Sequence, residues 1–209
     1  KHTFGKIVDP KVRDYLLNQN NLLGGELVFA TILFADIRGF TSLSERMTPE
    51  KTVIFLNRYF DSVAKCIYEE GGIINKYIGD AIMAVFGILG ESQNHARSAV
   101  LSALKMRKAV EALNSEFITE GLPIVQIGMG IHTGHVLAGN IGSTERLEFT
   151  VIGDSVNIAS RMESLCKYFR KDIILSGQTK DQSGFSEIAK FLHTVKLKGR
   201  AEKVAAFTV

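Results

Sequence analysis

Hydrophobic residues along this chain fall into runs and periodic patterns that predict alternating strands and helices. A nearly continuous apolar run at residues 26–35 predicts a buried strand. Two shorter apolar runs, at 73–78 and 81–87, meet at a Gly-Asp turn and predict a hairpin. Further strand patterns occupy residues 124–132 and 135–141, so extended segments are expected in both halves of the chain.

Three other segments carry apolar residues every three or four positions, which is the spacing of an amphipathic helix. The first starts at Thr48-Pro49, where a side-chain cap precedes proline at the first helical position, and it stops at Gly71-Gly72. The second is expected over about residues 96–117 and the third over 154–167. A short helix is also expected after the loop that begins at Asp36.

The last part of the chain has short patterns that fit strands or irregular segments, at residues 172–175, 188–196 and 203–208. With these, the order of elements is strand, helix, hairpin, helix and then strands. Such an order favours an α+β sandwich, in which helices pack on one face of a mixed, mostly antiparallel sheet.

Length and composition indicate one globular domain with a short extension. The chain has 209 residues, of which 45% are hydrophobic and 22% are charged, and both fractions are ordinary for a soluble protein. We expect an N-terminal lead-in over residues 1–24 and one domain over residues 25–209. The net charge of +3 is too small, and the basic residues are too scattered, to indicate nucleic-acid binding.

The two cysteines, Cys66 and Cys166, have neither disulfide nor metal-site spacing, so we expect buried free thiols in a reducing compartment. The longest apolar stretch, residues 81–89, is too short to cross a membrane, so no direct membrane insertion of this segment is expected. The chain begins at Lys1 without a methionine and is therefore expected to be a piece of a larger protein, for which a membrane anchor stays open.

Two aspartates lie where apolar strands stop. Asp36 follows the run Leu33–Ala35, and Asp80 lies at the turn of the predicted hairpin. A carboxylate among apolar neighbours is costly unless a positive group meets it. Two of them beside a glycine-containing loop indicate hard divalent cations that hold phosphate oxygens. Each aspartate alone also fits a helix cap or a turn residue.

Asn157 and Arg161 stand four residues apart on a predicted helix and therefore share a face. A neutral amide and a planar charged guanidinium can together hold a sugar oxygen and a phosphate. The alternative is a surface asparagine beside an arginine that pairs with Glu163 or another acid.

The glycine-rich segment at residues 128–134 matches neither a dinucleotide-binding fingerprint nor a P-loop, because the spacings differ. His132 and His135 flank its end, but no cysteine or acid completes a zinc site around them. Both histidines are therefore interpreted as structural.

Four segments together resemble the motif series of class III nucleotide cyclase catalytic domains, in order and spacing over about residues 28–200. They are Phe34–Thr41, Asn75–Asp80, Gly130–Gly134 and Thr150–Arg161. The resemblance implies a ferredoxin-like α+β sandwich. It also implies an adenylate cyclase, which converts ATP to 3′,5′-cyclic AMP and pyrophosphate.

The same resemblance assigns roles to the loop residues. Asp36 and Asp80 would bind two Mg²⁺ or Mn²⁺ ions per site, assisted by the carbonyl group of Ile37. The phosphates would be held by the backbone of residues 37–41, which includes Gly39, Phe40 and Thr41, and by Lys198 at the terminal phosphates. Asn157 would orient the ribose, and Arg161 would stabilise charge at the α-phosphate.

Lys76 and Thr150 would read the purine. Adenine offers an acceptor at N1 and an amino donor at C6, which suit a lysine donor and a hydroxyl acceptor. Guanine carries an N1–H that Lys76 would oppose, so ATP is favoured over GTP. Thr150 stands where many animal adenylyl cyclases carry aspartate, and the pair resembles that of cyanobacterial and soluble bicarbonate-responsive adenylyl cyclases.

Sites in this family take residues from two chains. Because all the named residues occur in this one chain, the resemblance implies a homodimer with two equivalent sites. A cytoplasmic location is expected, or the cytosolic part of a membrane-attached protein with upstream regulatory domains. Alternatives are a guanylate cyclase and a catalytically silent module for dimerisation or nucleotide sensing. The role of His135 is open, because some members carry a phosphate-binding arginine there.

Overall fold

A computed structural model of the protein describes residues 12–13, 24–88, 94–143, 145, 147–196 and 203–209. Its strands are β1 (Gly24–Ile37), β2 (Ile73–Ile78), β3 (Ala81–Phe86), β4 (Ile127–Gly142), β5 (Leu147–Ile152), β6 (Ile173–Ser176), β7 (Lys190–Lys196) and β8 (Lys203–Thr208). Its helices are α1 (Phe40–Ser44), α2 (Pro49–Glu69), α3 (His95–Thr119), α4 (Asp154–Phe169) and α5 (Gly177–Ser183). Lys198 and most of the expected lead-in, residues 1–24, lie outside the described residues.

Within the described residues, eight strands form one sheet in the order β2-β3-β1-β4-β6-β8-β7, and β5 pairs with β4 beyond the end of β6. All the strand pairs are antiparallel except β4 with β6. The first four strands with α2 and α3 make the β-α-β-β-α-β unit of a ferredoxin-like fold. The predicted α+β class with a mostly antiparallel sheet is confirmed.

The helices lie on both faces of the sheet, which corrects the expectation of a single helical face. Met129 and Ile131 of β4 belong to the large core cluster that α2 and α3 cover. Gly130 points to the other face, where a Cβ would overlap the backbone of Ala159 and Glu163 in α4. Because successive residues of a strand face opposite sides, glycine on the second face lets α4 approach the sheet closely.

Several boundaries follow from local chemistry. The Thr48 hydroxyl accepts a hydrogen bond from the Lys51 amide at 3.3 Å, so α2 begins at the predicted cap. The two strands predicted at 124–132 and 135–141 are one continuous strand, β4. Gly134 suggests a turn between them, but it lies directly beneath Ser155 of α4 in extended backbone. The hydrophobic pattern predicts neither β5 nor α5.

Cys66 and Cys166 are both buried free thiols, as the helical patterns predict. Burial raises the pKa of Cys166 to about 12, so its thiol stays protonated at physiological pH. Within the described residues, no helix combines the length and the apolar character that crossing a membrane requires.

Candidate active site

The two predicted aspartates lie side by side at one edge of the sheet. Asp36 is the penultimate residue of β1, and Asp80 occupies the turn between β2 and β3. Antiparallel pairing of β1 with β3 sets Ala35 opposite Ile82, so both carboxyl groups reach the same point. The pKa of Asp36 rises from 3.8 to about 6, because burial disfavours its charge and the neighbouring Asp80 both hydrogen-bonds to it and repels it. A cation bound at this pair would therefore stabilise the charged form of both carboxyl groups.

A third carboxyl group, that of Glu163 in α4, approaches this pair from the second face of the sheet. Its pKa rises to about 7, because of burial and then because of the negative charge of Asp36, whereas the positive charge of Arg38 opposes the rise. The sequence suggests Glu163 only as a partner of Arg161. Its place beside β4 depends on which face α4 covers, and the hydrophobic pattern does not give that face.

Two consecutive residues, Arg38 and Gly39, determine the conformation of the loop after Asp36. Gly39 has a φ of 67°, a left-handed conformation that disfavours a side chain, and it precedes the first turn of α1. The Arg38 guanidinium donates to the Cys166 carbonyl at 3.3 Å and also to the Lys171 carbonyl. These bonds tie the loop to the C-terminal end of α4. Phe40 packs on the core, whereas Thr41 is exposed.

The predicted purine-reading residues, Lys76 and Thr150, lie together where β2 meets β5. The Lys76 ammonium group contacts the Glu148 carboxylate at 2.7 Å. The Thr150 hydroxyl, which is buried, donates to Oδ1 of Asn75 at 2.9 Å. Asn75 and Glu148 thus contact the two residues, although the sequence analysis assigns no role to either of them. The spacing offered one signal for Glu148, because residues two apart on a strand share a face.

Asn157 and Arg161 share a face of α4, as predicted, and that face points away from the sheet. Ala159 and Glu163 contact the sheet, and each lies two residues, or about 200° around the helix, from Asn157 and Arg161 respectively. Arg161 makes no hydrogen bond or ion pair with any described residue, so the alternative pairing with Glu163 is wrong. The two side chains are directed away from the carboxylates of their own chain.

The two histidines occupy different environments. His132 is buried, and its Nδ1 lies 2.8 Å from the Ser176 hydroxyl. The Ser176 hydroxyl is also hydrogen-bonded to the Thr179 hydroxyl, which is hydrogen-bonded in turn to the Thr133 hydroxyl, so the four side chains form a buried chain of hydrogen bonds. His135 is exposed, and its ring meets Phe29 edge-on at 5.0 Å. Both contacts fit the structural interpretation of these residues.

An exposed apolar row crosses the end of the sheet on the face that α3 covers elsewhere. Leu27, Leu137 and Ile152 are cross-strand neighbours on β1, β4 and β5. Their exposed fractions are 69%, 38% and 47%. Exposed apolar residues that adjoin one another mark a surface suited to contact with another molecule.

The hydroxyl group of Tyr59 in α2 is buried and has no hydrogen-bond partner among the described residues. Burial raises its pKa, and the charges of Asp36, Asp80 and Glu163 add to the rise. Because an unpaired buried donor costs free energy, Tyr59→Phe is expected to raise the free energy of unfolding by about 1 kcal/mol. Urea denaturation checks this, with exposed Tyr168→Phe as the control. A lower stability for Tyr59→Phe would show that the hydroxyl has a partner in solution.

Comparison with known proteins gives a consistent family. Residues 27–208 match the family described as the adenylate and guanylate cyclase catalytic domain. An adenylate cyclase of Anabaena cylindrica is 40% identical over 186 residues, which cover 86% of this chain and 36% of that protein. The chain therefore spans about a third of the length of that relative.

Solved structures with both base specificities are similar to this chain. The guanylyl cyclase Cya2 has a TM-score of 0.81 and 36% sequence identity, covering 88% of this chain and 93% of its own. The adenylyl cyclase CyaB from P. aeruginosa has a TM-score of 0.80 and 31% identity, covering 88% and 95%. Overall similarity therefore leaves the choice of purine to the residues of the site.

Proposed function

Because this chain belongs to the adenylate and guanylate cyclase catalytic domain family, we propose that it converts ATP to 3′,5′-cyclic AMP and pyrophosphate. The observation that supports the choice of ATP is that Lys76 of β2 contacts Glu148 of β5, while Thr150 of β5 contacts Asn75 of β2, so both purine-reading candidates lie at the junction of β2 and β5. An ammonium donor meets the N1 acceptor of adenine, and a hydroxyl acceptor meets its 6-amino group. The N1–H of guanine would face the Lys76 ammonium group, donor against donor.

The carboxylate pair fits the divalent cations that the family implies. Asp36 and Asp80 repel each other, and a cation between them would relieve that repulsion. No cluster of three or more His, Cys, Asp or Glu side chains suited to a metal occurs in the part of the chain that the structure describes. The family resemblance implies the Ile37 carbonyl as a further ligand, and oxygens of the bound phosphates would complete the coordination. When bound, Mg²⁺ or Mn²⁺ would supply activation of the ribose hydroxyl and neutralisation of phosphate charge.

The other residues of the chain bind and orient the nucleotide. Asn157 holds the ribose so that its 3′-hydroxyl faces the α-phosphorus, and Arg161 donates to the α-phosphate as negative charge develops. The left-handed Gly39 turns the chain so that the backbone N–H groups of residues 37–41 can face the phosphates. Lys198 binds the terminal phosphates. Positioning and electrostatic stabilisation account for most of the rate enhancement in enzymatic phosphoryl transfer.

We propose a homodimer in which each site takes the carboxylates from one chain and the α4 residues from the other. Support comes from Asn157 and Arg161, which face away from the Asp36–Asp80 pair of their own chain. The apolar row of Leu27, Leu137 and Ile152 offers surface for contact with a second copy. An isologous dimer of this kind has two equivalent sites.

The proposed setting is the cytosol, where ATP is abundant, with this chain as the catalytic part of a longer protein. The Anabaena relative is much longer than the segment it shares with this chain, which leaves room for regulatory domains. Such domains would carry the input signal to the dimer.

Turnover assays with ATP and GTP, in Mg²⁺ and in Mn²⁺, test the proposal directly when cyclic products are separated by chromatography. We expect 3′,5′-cyclic AMP from ATP, with kcat/KM at least about tenfold above that for GTP, since the mismatched base leaves site groups unpaired. Preference for GTP would make the protein a guanylate cyclase. Nucleotide binding with no cyclic product would indicate a silent nucleotide-sensing module.

A further inference from the structure

Asn75 is the extra residue of a β-bulge. Pairing of β2 with β3 runs from Ile74 opposite Ala84 to Lys76 opposite Met83, so Asn75 has no opposite residue. A bulge redirects side chains and is common next to functional sites. Here it lets two consecutive residues, Asn75 and Lys76, both contact β5, although β2 and β5 are not paired strands.

The Asn75 side-chain amide makes two hydrogen bonds to consecutive residues of β5. Its Nδ2 donates to the backbone carbonyl of Phe149 at 3.2 Å, and its Oδ1 accepts from the Thr150 hydroxyl at 2.9 Å. The orientation of the amide is fixed by chemistry, because a backbone carbonyl only accepts and therefore must face the NH₂ group. The oxygen of the amide consequently faces Thr150.

The direction of the Thr150 hydroxyl follows from that orientation. An amide oxygen only accepts, so the hydroxyl must use its single proton on Asn75. Only lone pairs of the Thr150 oxygen are then left for a ligand. An amino group at C6 of a purine can donate to them. An oxo group at C6 can only accept, so its lone pairs would face those of the Thr150 oxygen and repel them.

We propose that Asn75 is a positioning residue that makes the Thr150 hydroxyl an obligate acceptor and so selects a 6-amino purine over a 6-oxo purine. The inference rests on the proposed function and deepens it, since it divides base selection between two groups. Lys76, held by Glu148 at 2.7 Å, reads N1. The Phe149 carbonyl orients the Asn75 amide, the amide orients the Thr150 hydroxyl, and that hydroxyl recognises the group at C6.

The test compares ATP with inosine triphosphate, which carries the oxo group at C6 and lacks the 2-amino group of guanine. In Asn75→Ala the hydroxyl is free to rotate and donate to the oxo group. The ratio of kcat/KM for ATP to that for inosine triphosphate is expected to fall about tenfold, which corresponds to the net free energy of one hydrogen bond. Both substrates are measured on one preparation, so loss of folded protein cancels in the ratio. Thr150→Ser keeps the hydroxyl and should keep the ratio.

A double-mutant cycle separates action through Thr150 from a merely structural role. Thr150→Val removes the hydroxyl and should itself lower the ratio. In that background Asn75→Ala should change the ratio less than about twofold, because the group it orients is gone. An equal fall in both backgrounds, or an unchanged ratio in Asn75→Ala alone, would overturn the inference.

Failure of the proposed function is distinguishable from failure of this inference. If the wild-type protein makes no cyclic product from ATP, the proposed function is wrong, and the inference is judged on binding instead. Equilibrium dialysis then gives the affinities for ATP and inosine triphosphate. A tenfold fall in the affinity ratio on Asn75→Ala supports the role of Asn75, and an unchanged ratio contradicts it.

Discussion

Asp36→Asn and Asp80→Asn should each lower formation of cyclic AMP at least about a thousandfold, because each carboxylate is a ligand in the proposed metal site and its loss removes several kcal/mol of metal assistance. Both changes keep side-chain size, so the fold and the dimer should persist. Initial rates in Mg²⁺ and in Mn²⁺ give the measurement. Asp61→Asn, an exposed aspartate on α2, is the matched control. Near-normal rates for both variants in both metals would rule out this metal site.

The same change at Asp80 should stabilise the metal-free protein. Native Asp36 has a pKa of about 6 and an ordinary value of 3.8, so between these values the folded chain binds the proton more tightly than the unfolded chain. Its contribution to stability is therefore present at low pH and is lost as the pH rises through about 6. Asp80→Asn removes the largest charge effect on Asp36, so thermal unfolding with a chelator at pH 7.5 should shift upward.

Arg161→Ala should lower kcat by about 10²–10³, because the role proposed for Arg161 is to donate where charge develops in the transition state. KM for ATP should change little, since the interaction of Arg161 with the α-phosphate would be stronger in the transition state than in the ground state. Steady-state kinetics separate the two constants. Lys167→Ala, an exposed basic residue on the same helix, serves as the control and should behave as the wild type. A large rise in KM with unchanged kcat would instead assign Arg161 to ground-state binding.

The carboxylate pair can be predicted from the sequence because the hydrophobic pattern shows where strands end. Asp36 directly follows a continuous apolar run, Asp80 lies at the Gly-Asp turn between two mainly apolar segments, and antiparallel pairing then brings such ends to one edge of a sheet. The helical spacing of Asn157 and Arg161 likewise gives a shared face without any tertiary information. These features depend on local periodicity, which the chain displays directly.

Other features depend on contacts between distant segments and are not readable in this way. Gly134 suggests a turn, but the approach of Ser155 explains the glycine within a continuous strand. The role of Asn75 requires a bulge in β2 and a neighbouring β5 that is 75 residues away. Glu163 is placed beside Asp36 only because α4 covers the second face of the sheet.

Assembly of each site from two chains is the central structural claim, and mixed dimers test it most directly. Asp36→Ala and Arg161→Ala proteins should each be nearly inactive. After subunit exchange at equal amounts, verified with different tags, about half of the dimers are mixed. In those dimers both lesions fall in one site and the other site is wild type, so roughly a quarter of wild-type activity should return. Activity that stays at the level of the separate mutants would contradict sites shared between two chains.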